Sequence, residues 1–333
     1  MKYYFVFKNL KILVLTLFII GFISCKSDKD KKEEVVVPKE SVQEEIPFFK
    51  LSLAQWSFNK HIRNGEMSSL DFAQKAKEMG FEGLEYVSQL YSNYLTKGDN
   101  PKVAMQNLLD TLKMKSEKYG LRNLGIMVDN EGDLSSPDEE KRMRAVENHK
   151  KWIDAGHFLG CYYIRVNLFG SDNPKIWMEN SVKSLKQLAT YAKEKSIDII
   201  VENHGYLSSN TPYLIQVINK VNMSNCGVLP DFGNFCLKRE GGERWNTKCI
   251  EEYDKYKGVA EMMPAAKAVS AKSYDFDQNG NETTIDYLRM LQIVKDAGYT
   301  GFIGVEYEGN RLNEEDGIIA TKELLLNTAK KLN

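Results

Sequence analysis

The sequence predicts an α/β fold, a single-domain (β/α)8 TIM barrel, on three observations. Eight short apolar or β-branched runs recur after residue 48, and a longer stretch follows each of them. Most of those stretches place apolar residues at i, i+3, i+4 and i+7, the spacing of an amphipathic helix, and no tight hairpin turn joins one run to the next. Parallel strands roofed by helices follow from that pattern. No Gly-rich phosphate turn follows the first run, which favours a closed barrel over an open dinucleotide-binding sheet.

Before the barrel stands a different kind of sequence. Lys2, Lys8 and Lys11 precede the apolar run Ile12–Ile23, which is too short to cross a bilayer comfortably and ends at Ser24 and Cys25. Phe22-Ile23-Ser24-Cys25 resembles a bacterial lipoprotein signal. That resemblance implies that residues 1–24 are a signal peptide and that Cys25 is the lipidated first residue of the mature chain. Simple secretion and an uncleaved anchor are the alternatives. Residues 26–47, KSDKDKKEEVVVPKESVQEEIP, lack aromatics and are rich in charge, so they read as a flexible tether. The barrel then occupies residues 48–333, held at the cell envelope through its lipid alone.

The eight runs are FKLSLAQW (49–56), FEGLEYV (81–87), LRNLGIMV (121–128), YYIRVNL (162–168), IDIIVEN (197–203), CGVLPDF (226–232), AKAVSAK (266–272) and GFIGVEY (301–307). Between them, SSLDFAQKAKEMG opens on a Ser and closes on a Gly, as a capped helix does, and MQNLLDTLKMKSEKYG also closes on a Gly. NSVKSLKQLATYAKEKS, IDYLRMLQIVKDAGY and GIIATKELLLNTAKKLN carry the helical spacing. The sixth connection, residues 234–264, is long and Gly-interrupted and predicts a loop with one or two short helices. Cys236 and Cys249 fall within it and could pair, whereas Cys161 and Cys226 lead into apolar strands as inert core thiols.

Lys plus Arg (45) and Asp plus Glu (46) nearly cancel, and no basic stripe interleaved with aromatics appears, so nucleic acid is not expected as a partner. A barrel of this kind does its chemistry at the C-terminal strand ends. Reading those ends gives Gln55, Trp56 and Ser57; Glu85 and Tyr86; Asp129, Asn130 and Glu131; Arg165 and Asn167; Glu202, Asn203 and His204; Asp231 and Asn234; Ser270, Lys272, Tyr274 and Asp275; Glu306 and Glu308. Glu202, Asp231 and Glu306 leave apolar runs directly, and three carboxylates there repel one another unless a cation or a proton neutralises them. Mn²⁺ or Mg²⁺ suits such oxygen donors best, with Co²⁺ or Zn²⁺ as alternatives.

VENHG, LPDFGNF, VSAKSYDFD and GFIGVEYEG together resemble the xylose-isomerase-like barrel superfamily, also called the sugar phosphate isomerase/epimerase family. It includes ketose 3-epimerases, inositol-pathway isomerases and dehydratases, and the endonuclease IV group. The resemblance implies a metal on Glu202, Asp231, Glu306 and the position of Ser270, where the family usually has a His. It also implies that Glu202 and Glu306 act as an acid/base pair around an enediolate. Lys272 is placed to stabilise the oxyanion. Gln55, Arg165, Asn167, His204 and Asn234 can bond sugar hydroxyls, and Trp56 offers an apolar ring face.

The function expected is therefore an envelope-anchored isomerase or epimerase of a sugar or polyol. Alternatives are a lyase or dehydratase on a 3-oxo sugar, and a glycan-binding lipoprotein that has lost its metal. DNA repair of the endonuclease IV kind needs a His-rich zinc site, and the chain has four His in all. Phosphorylated substrates are not favoured, because no Gly-rich phosphate cradle appears. His61 either reaches the site from the first loop or serves the scaffold. His149 and His157 read as structural or solvated, and Asp275 and Asp277 as a polar connecting loop.

Replacing Cys25 with Ser is expected to abolish incorporation of radiolabelled fatty acid and to move the protein from the membrane to the soluble fraction of a bacterial host. An unchanged distribution overturns the lipid anchor.

Overall fold

The computed structural model describes residues 46–96 and 99–333. Cys25 and the segments expected to be a signal peptide and, but for its last two residues, a tether lie outside the described residues. Each of the eight runs forms a strand of one sheet: β1 (Lys50–Ala54), β2 (Gly83–Val87), β3 (Arg122–Met127), β4 (Tyr163–Val166), β5 (Asp198–Glu202), β6 (Cys226–Leu229), β9 (Val269–Ser273) and β10 (Phe302–Tyr307). Two further strands, β7 (Cys236–Arg239) and β8 (Cys249–Glu252), form a separate antiparallel hairpin.

The sheet order is β6-β5-β4-β3-β2-β1-β10-β9, with every pair parallel. Its two edges meet. Val228 bridges Ala266 and Asp231 bridges Ser270 in parallel, with Ser270 N donating to Pro230 O at 2.9 Å and Phe232 N to Ser270 O at 3.1 Å. The barrel thus closes along a seam that carries two of the expected site residues.

Local sequence explains where the covering helices begin. Asn100 and Asn173 cap helices Pro101–Tyr119 and Pro174–Lys193, each side chain accepting from two backbone N–H groups just ahead of it, and a Pro occupies the first turn. Asp138, Asp254, Asp286 and Asn313 start four more helices in the same way. The sixth connection carries the short helix expected there but pairs its loop into strands. It holds one short helix, Lys255–Met262, and the β7/β8 hairpin closed by a Cys236–Cys249 disulfide. Its strands are too charged and exposed to show the alternation that marks a half-buried strand.

A period of two sorts the strand residues. Leu124, Tyr163, Ile200, Leu229 and Ala268, with Phe302, fill the lower barrel as one apolar cluster. Above them Glu85 points inward, where Ser52 Oγ donates to its Oε1 at 2.5 Å and the Tyr163 hydroxyl also faces the carboxyl. A Cβ at Gly304 would strike this carboxyl, so only glycine leaves it room. Burial outweighs the Ser52 hydrogen bond and pushes the Glu85 carboxyl up to about 7.

Because its folded pKa lies above its unfolded one, Glu85 favours folding at low pH, and that contribution is lost as pH rises from about 4.5 to about 7. Glu85→Gln is expected to flatten this fall, gaining up to about 3 kcal/mol over the wild type at pH 8 and little at pH 4.5, measured by urea unfolding. An equal effect at both pH values overturns the assignment.

Candidate active site

The alternation that fills the lower barrel with apolar groups lifts polar ones into the layer above. Tyr163 is followed two residues on by Arg165, Ile200 by Glu202, Leu229 by Asp231, Ala268 by Ser270 and then Lys272, and Gly304 by Glu306. Parallel register sets Lys272 beside Glu306 and Ser270 beside Gly304. Arg165, Glu202, Asp231, Ser270, Lys272 and Glu306 are all buried.

Oxygens of Glu202, Asp231 and Glu306 all lie within 4.8 Å of one another. Lys272 Nζ sits 3.0 Å from Glu306, 3.4 Å from Glu308 and 3.8 Å from Asp231. Arg165 spans two acids, with Nε 2.9 Å from Glu202 and NH1 2.9 Å from Asp129. Five carboxylates thus share two cations, and that excess governs protonation. Burial raises Glu306 to about 8 and Asp231 to about 6, against the pull of Lys272. Glu202 is also buried yet held below its ordinary value. His204, Arg165 and Lys272 face its carboxylate and hold it there against burial, while burial in turn lowers the His204 pKa. Lys272 resists burial through Glu306 and Glu308 and remains an ammonium.

Hydrogen bonding ties these acids together. Ser270 Oγ lies 2.7 Å from Asp231 and 3.0 Å from Glu306. One hydroxyl hydrogen is thus shared between two carboxyls, which draws Asp231 and Glu306 together around Ser270. Asp231 Oδ1 accepts from the backbone N–H groups of Gly233 and Asn234 at 2.9 and 2.8 Å. Asn234 Nδ2 donates to Glu202 at 2.9 Å. Asn203 holds the turn from behind, its Oδ1 accepting from Asp231 N at 2.7 Å.

Asn167 Nδ2 donates to the acceptor-only carboxylate of Asp129 at 2.7 Å, which turns Asn167 Oδ1 towards His204 Nδ1 at 2.8 Å. His204 therefore carries its proton on Nδ1, leaving Nε2 as an acceptor. Trp56 Nε1 donates to Glu308, and the Arg63 guanidinium covers the Trp56 ring at 4.6 Å. A cavity of about 1050 Å³ opens over this layer, bordered by Trp56, Arg165, Asn167, Glu202, His204 and Glu306 among others.

The structure thus brings Trp56, Arg165, Asn167, Glu202, His204, Asp231, Asn234, Ser270, Lys272 and Glu306 together. It does not bring Gln55. Gln55 begins a 3-10 turn that rotates it into the scaffold, where Nε2 donates to Tyr91 Oη at 2.8 Å and Oε1 accepts from Val87 N at 3.0 Å. Its second N–H is taken by the Ser69 carbonyl, and the side chain is fully buried away from the cavity, out of reach of a substrate hydroxyl. His61 serves the scaffold on Glu314 at 2.6 Å, and His149 Nδ1 lies 2.7 Å from the Ala145 carbonyl in the cavity wall. Asp129 and Glu308 stood among the strand ends in the sequence. Nothing there marked them as the partners of Arg165, Trp56 and Lys272.

The fit of a metal is decided by the donor set. Three buried carboxylates with overlapping reach and too little positive charge suit an oxygen-preferring divalent cation. Ser270 adds a hydroxyl oxygen beside Asp231 and Glu306, and Lys272 competes for Glu306.

The family model described as xylose isomerase-like TIM barrel matches residues 73–328. The chain belongs to that family. Within this xylose isomerase-like chain, 66 residues are 38% identical to the C-glycoside deglycosidase alpha subunit of Arthrobacter globiformis, covering 19% of each chain. Another 55-residue match is 40% identical to the 3'-dehydrocarminate deglycosidase alpha subunit of a Microbacterium species, covering 16% of each. The chain thus spans under a fifth of the length of the curated relatives it matches. Solved structures align far more widely. The 3-keto-D-glucoside 4-epimerase of E. coli (14% identity, TM-score 0.63) is covered over 99% of its length by 84% of this chain. L-ribulose 3-epimerase (15%, 0.62) is covered over 96% by 85% of this chain, and a zinc-binding IolI protein (15%, 0.61) over 99% by 85%. At these identities the likeness establishes the fold.

Calorimetric titration of chelator-stripped protein with Mn²⁺ is expected to show one site and proton release, because the raised carboxyls must ionise to bind. Asp231→Asn is expected to weaken that site at least about 10-fold. Binding that survives the substitution unchanged places the metal elsewhere.

Proposed function

We propose that the protein is an isomerase or epimerase of a sugar or polyol that moves a proton on a carbon beside a carbonyl. The observation that carries this reading is geometric: Glu202, Asp231 and Glu306 bring oxygens within 4.8 Å of one another at the floor of the cavity, with Lys272 Nζ 3.0 Å from Glu306. Two carboxyls that border one cavity can divide base and acid roles between them. Glu202 takes the carbon-bound proton, and Arg165 and Asn234 keep it charged and aimed. Glu306 returns a proton to the same or the neighbouring carbon. Charge developing on the substrate oxygen meets the Lys272 ammonium, which stays charged in this dry layer. A divalent cation on Glu202, Asp231 and Glu306, when bound, supplies Lewis-acid polarisation of a substrate oxygen. Mn²⁺ or Mg²⁺ suits the all-oxygen donors.

Asn167, His204 and Trp56 border the cavity and are assigned to substrate hydroxyls and ring. Export and attachment to the envelope through Cys25 belong to the same proposal, supported by the leader sequence. A second reading, elimination from a 3-oxo glycoside, is supported by the two deglycosidase subunits among the relatives. It starts with the same proton abstraction and differs in expelling a β-substituent.

Incubation in deuterated water with ketoses, 3-oxo-hexoses and their glycosides, read by NMR, is expected to show deuterium at one carbon next to the carbonyl. Glu202→Gln and Glu306→Gln are each expected to lower kcat roughly 10²- to 10⁴-fold. Loss of the second ring during exchange selects the lyase. Sugar binding without any exchange sinks catalysis and leaves a binding protein.

A further inference from the structure

Above the catalytic layer lies a feature the proposed chemistry does not use. The β7/β8 hairpin and its loop, residues 236–252, are cross-linked by the Cys236–Cys249 disulfide, whose Cα atoms are 5.8 Å apart. At the tip, Arg244 reaches Asp133 in the loop after β3, with NH2 3.3 Å from Oδ2, and lays its guanidinium 4.5 Å over the Phe169 ring. Tyr206, just past β5, donates its hydroxyl to the Glu243 carbonyl. The hairpin is therefore anchored at both ends and leans over the barrel mouth.

This flap presents Trp245. Its ring stands edge-to-face with Phe169 at 5.7 Å and lies 4.9 Å from His204, yet it remains 40% exposed and borders the same cavity as Glu306. Its indole lines the cavity from outside the apolar core, where a ligand in that cavity would meet it. Its π face attracts the slightly positive C–H edge of a sugar or the edge of an aryl ring. His204 links the two levels, touching Asn167 on one side and Trp245 on the other. A cavity of about 1050 Å³ matches the upper end of the roughly 300–1,000 Å³ of drug-sized ligand sites, more than one monosaccharide fills.

We propose that Trp245, backed by Phe169 and held by the disulfide-stapled flap, forms a subsite for a second ring, so that the substrate is a glycoside rather than a free monosaccharide. The ring that reacts lies over Glu202 and Glu306, and the ring joined to it glycosidically rests on Trp245. Arg244 and Asp133 flank that second ring with a donor and an acceptor for its hydroxyls. This rests on the sugar reading above for the identity of the first ring.

The test compares affinities within a panel of 3-oxo-hexoses and their phenyl and hexosyl glycosides, titrated calorimetrically into the wild type and Trp245→Ala. At least one glycoside is expected to bind about 5- to 10-fold more tightly than its parent hexose, and Trp245→Ala is expected to erase that ratio with the parent's affinity unchanged. The Cys236→Ser/Cys249→Ser pair is expected to reduce the same ratio. Preference for phenyl or hexosyl glycosides identifies the second ring as aryl or sugar. A glycoside advantage that never appears, or that survives in Trp245→Ala, overturns the subsite. If deuterium exchange occurs while the advantage survives, the subsite falls and the reaction stands. If the advantage depends on Trp245 but no exchange occurs, the reaction falls and the subsite stands.

Discussion

Crowding of like charge in a dry space is the constraint on which the upper barrel depends. Glu202, Asp231 and Glu306 are held together by the closure of the sheet and cannot move apart. Every polar neighbour answers that crowding. Arg165 secures the charge of Glu202, Lys272 bridges Asp231, Glu306 and Glu308, and Ser270 shares its hydroxyl between two acids. The excess that remains is met by protons in the ion-free protein or by a divalent cation, and either way the site is poised to exchange charge with a ligand.

Ser270 and Lys272 illustrate how such a site tolerates change. The Ser270 side chain can vary without loss of the backbone pairing that closes the barrel, because Ser270 contributes to that seam through its N–H and C=O. Lys272, one strand pleat further up, places its ammonium 3.0 Å from Glu306 and brings into the cluster a positive charge that no metal need supply. The two residues are two apart on one strand and so share a face by geometry alone.

The barrel and the flap over its mouth are held by different kinds of contact. The apolar cluster below the site and the helix caps around it are local and repetitive. The flap is neither. A disulfide, one ion pair and a few ring contacts hold it over the mouth, in a connection whose charged strands bury almost nothing. Such a segment can vary without disturbing the barrel, which makes it a natural place for substrate selection.

The eight strands were legible by themselves, because apolar runs buried on both faces leave an unbroken signature and capped helices punctuate it. Strand ends placed Glu202, Asp231 and Glu306 at one rim, since alternation of period two is a local property of the backbone. Tertiary structure alone decided what those residues do. Gln55 and Trp56 are adjacent in sequence, yet a 3-10 turn sends one into the scaffold and the other to the cavity. Asp129 became the partner of Arg165, and Trp245 a neighbour of His204, only when strands distant in the chain closed on one another. Which acid holds the proton depends on burial and on distances of a few ångströms, quantities that exist only once the barrel has closed.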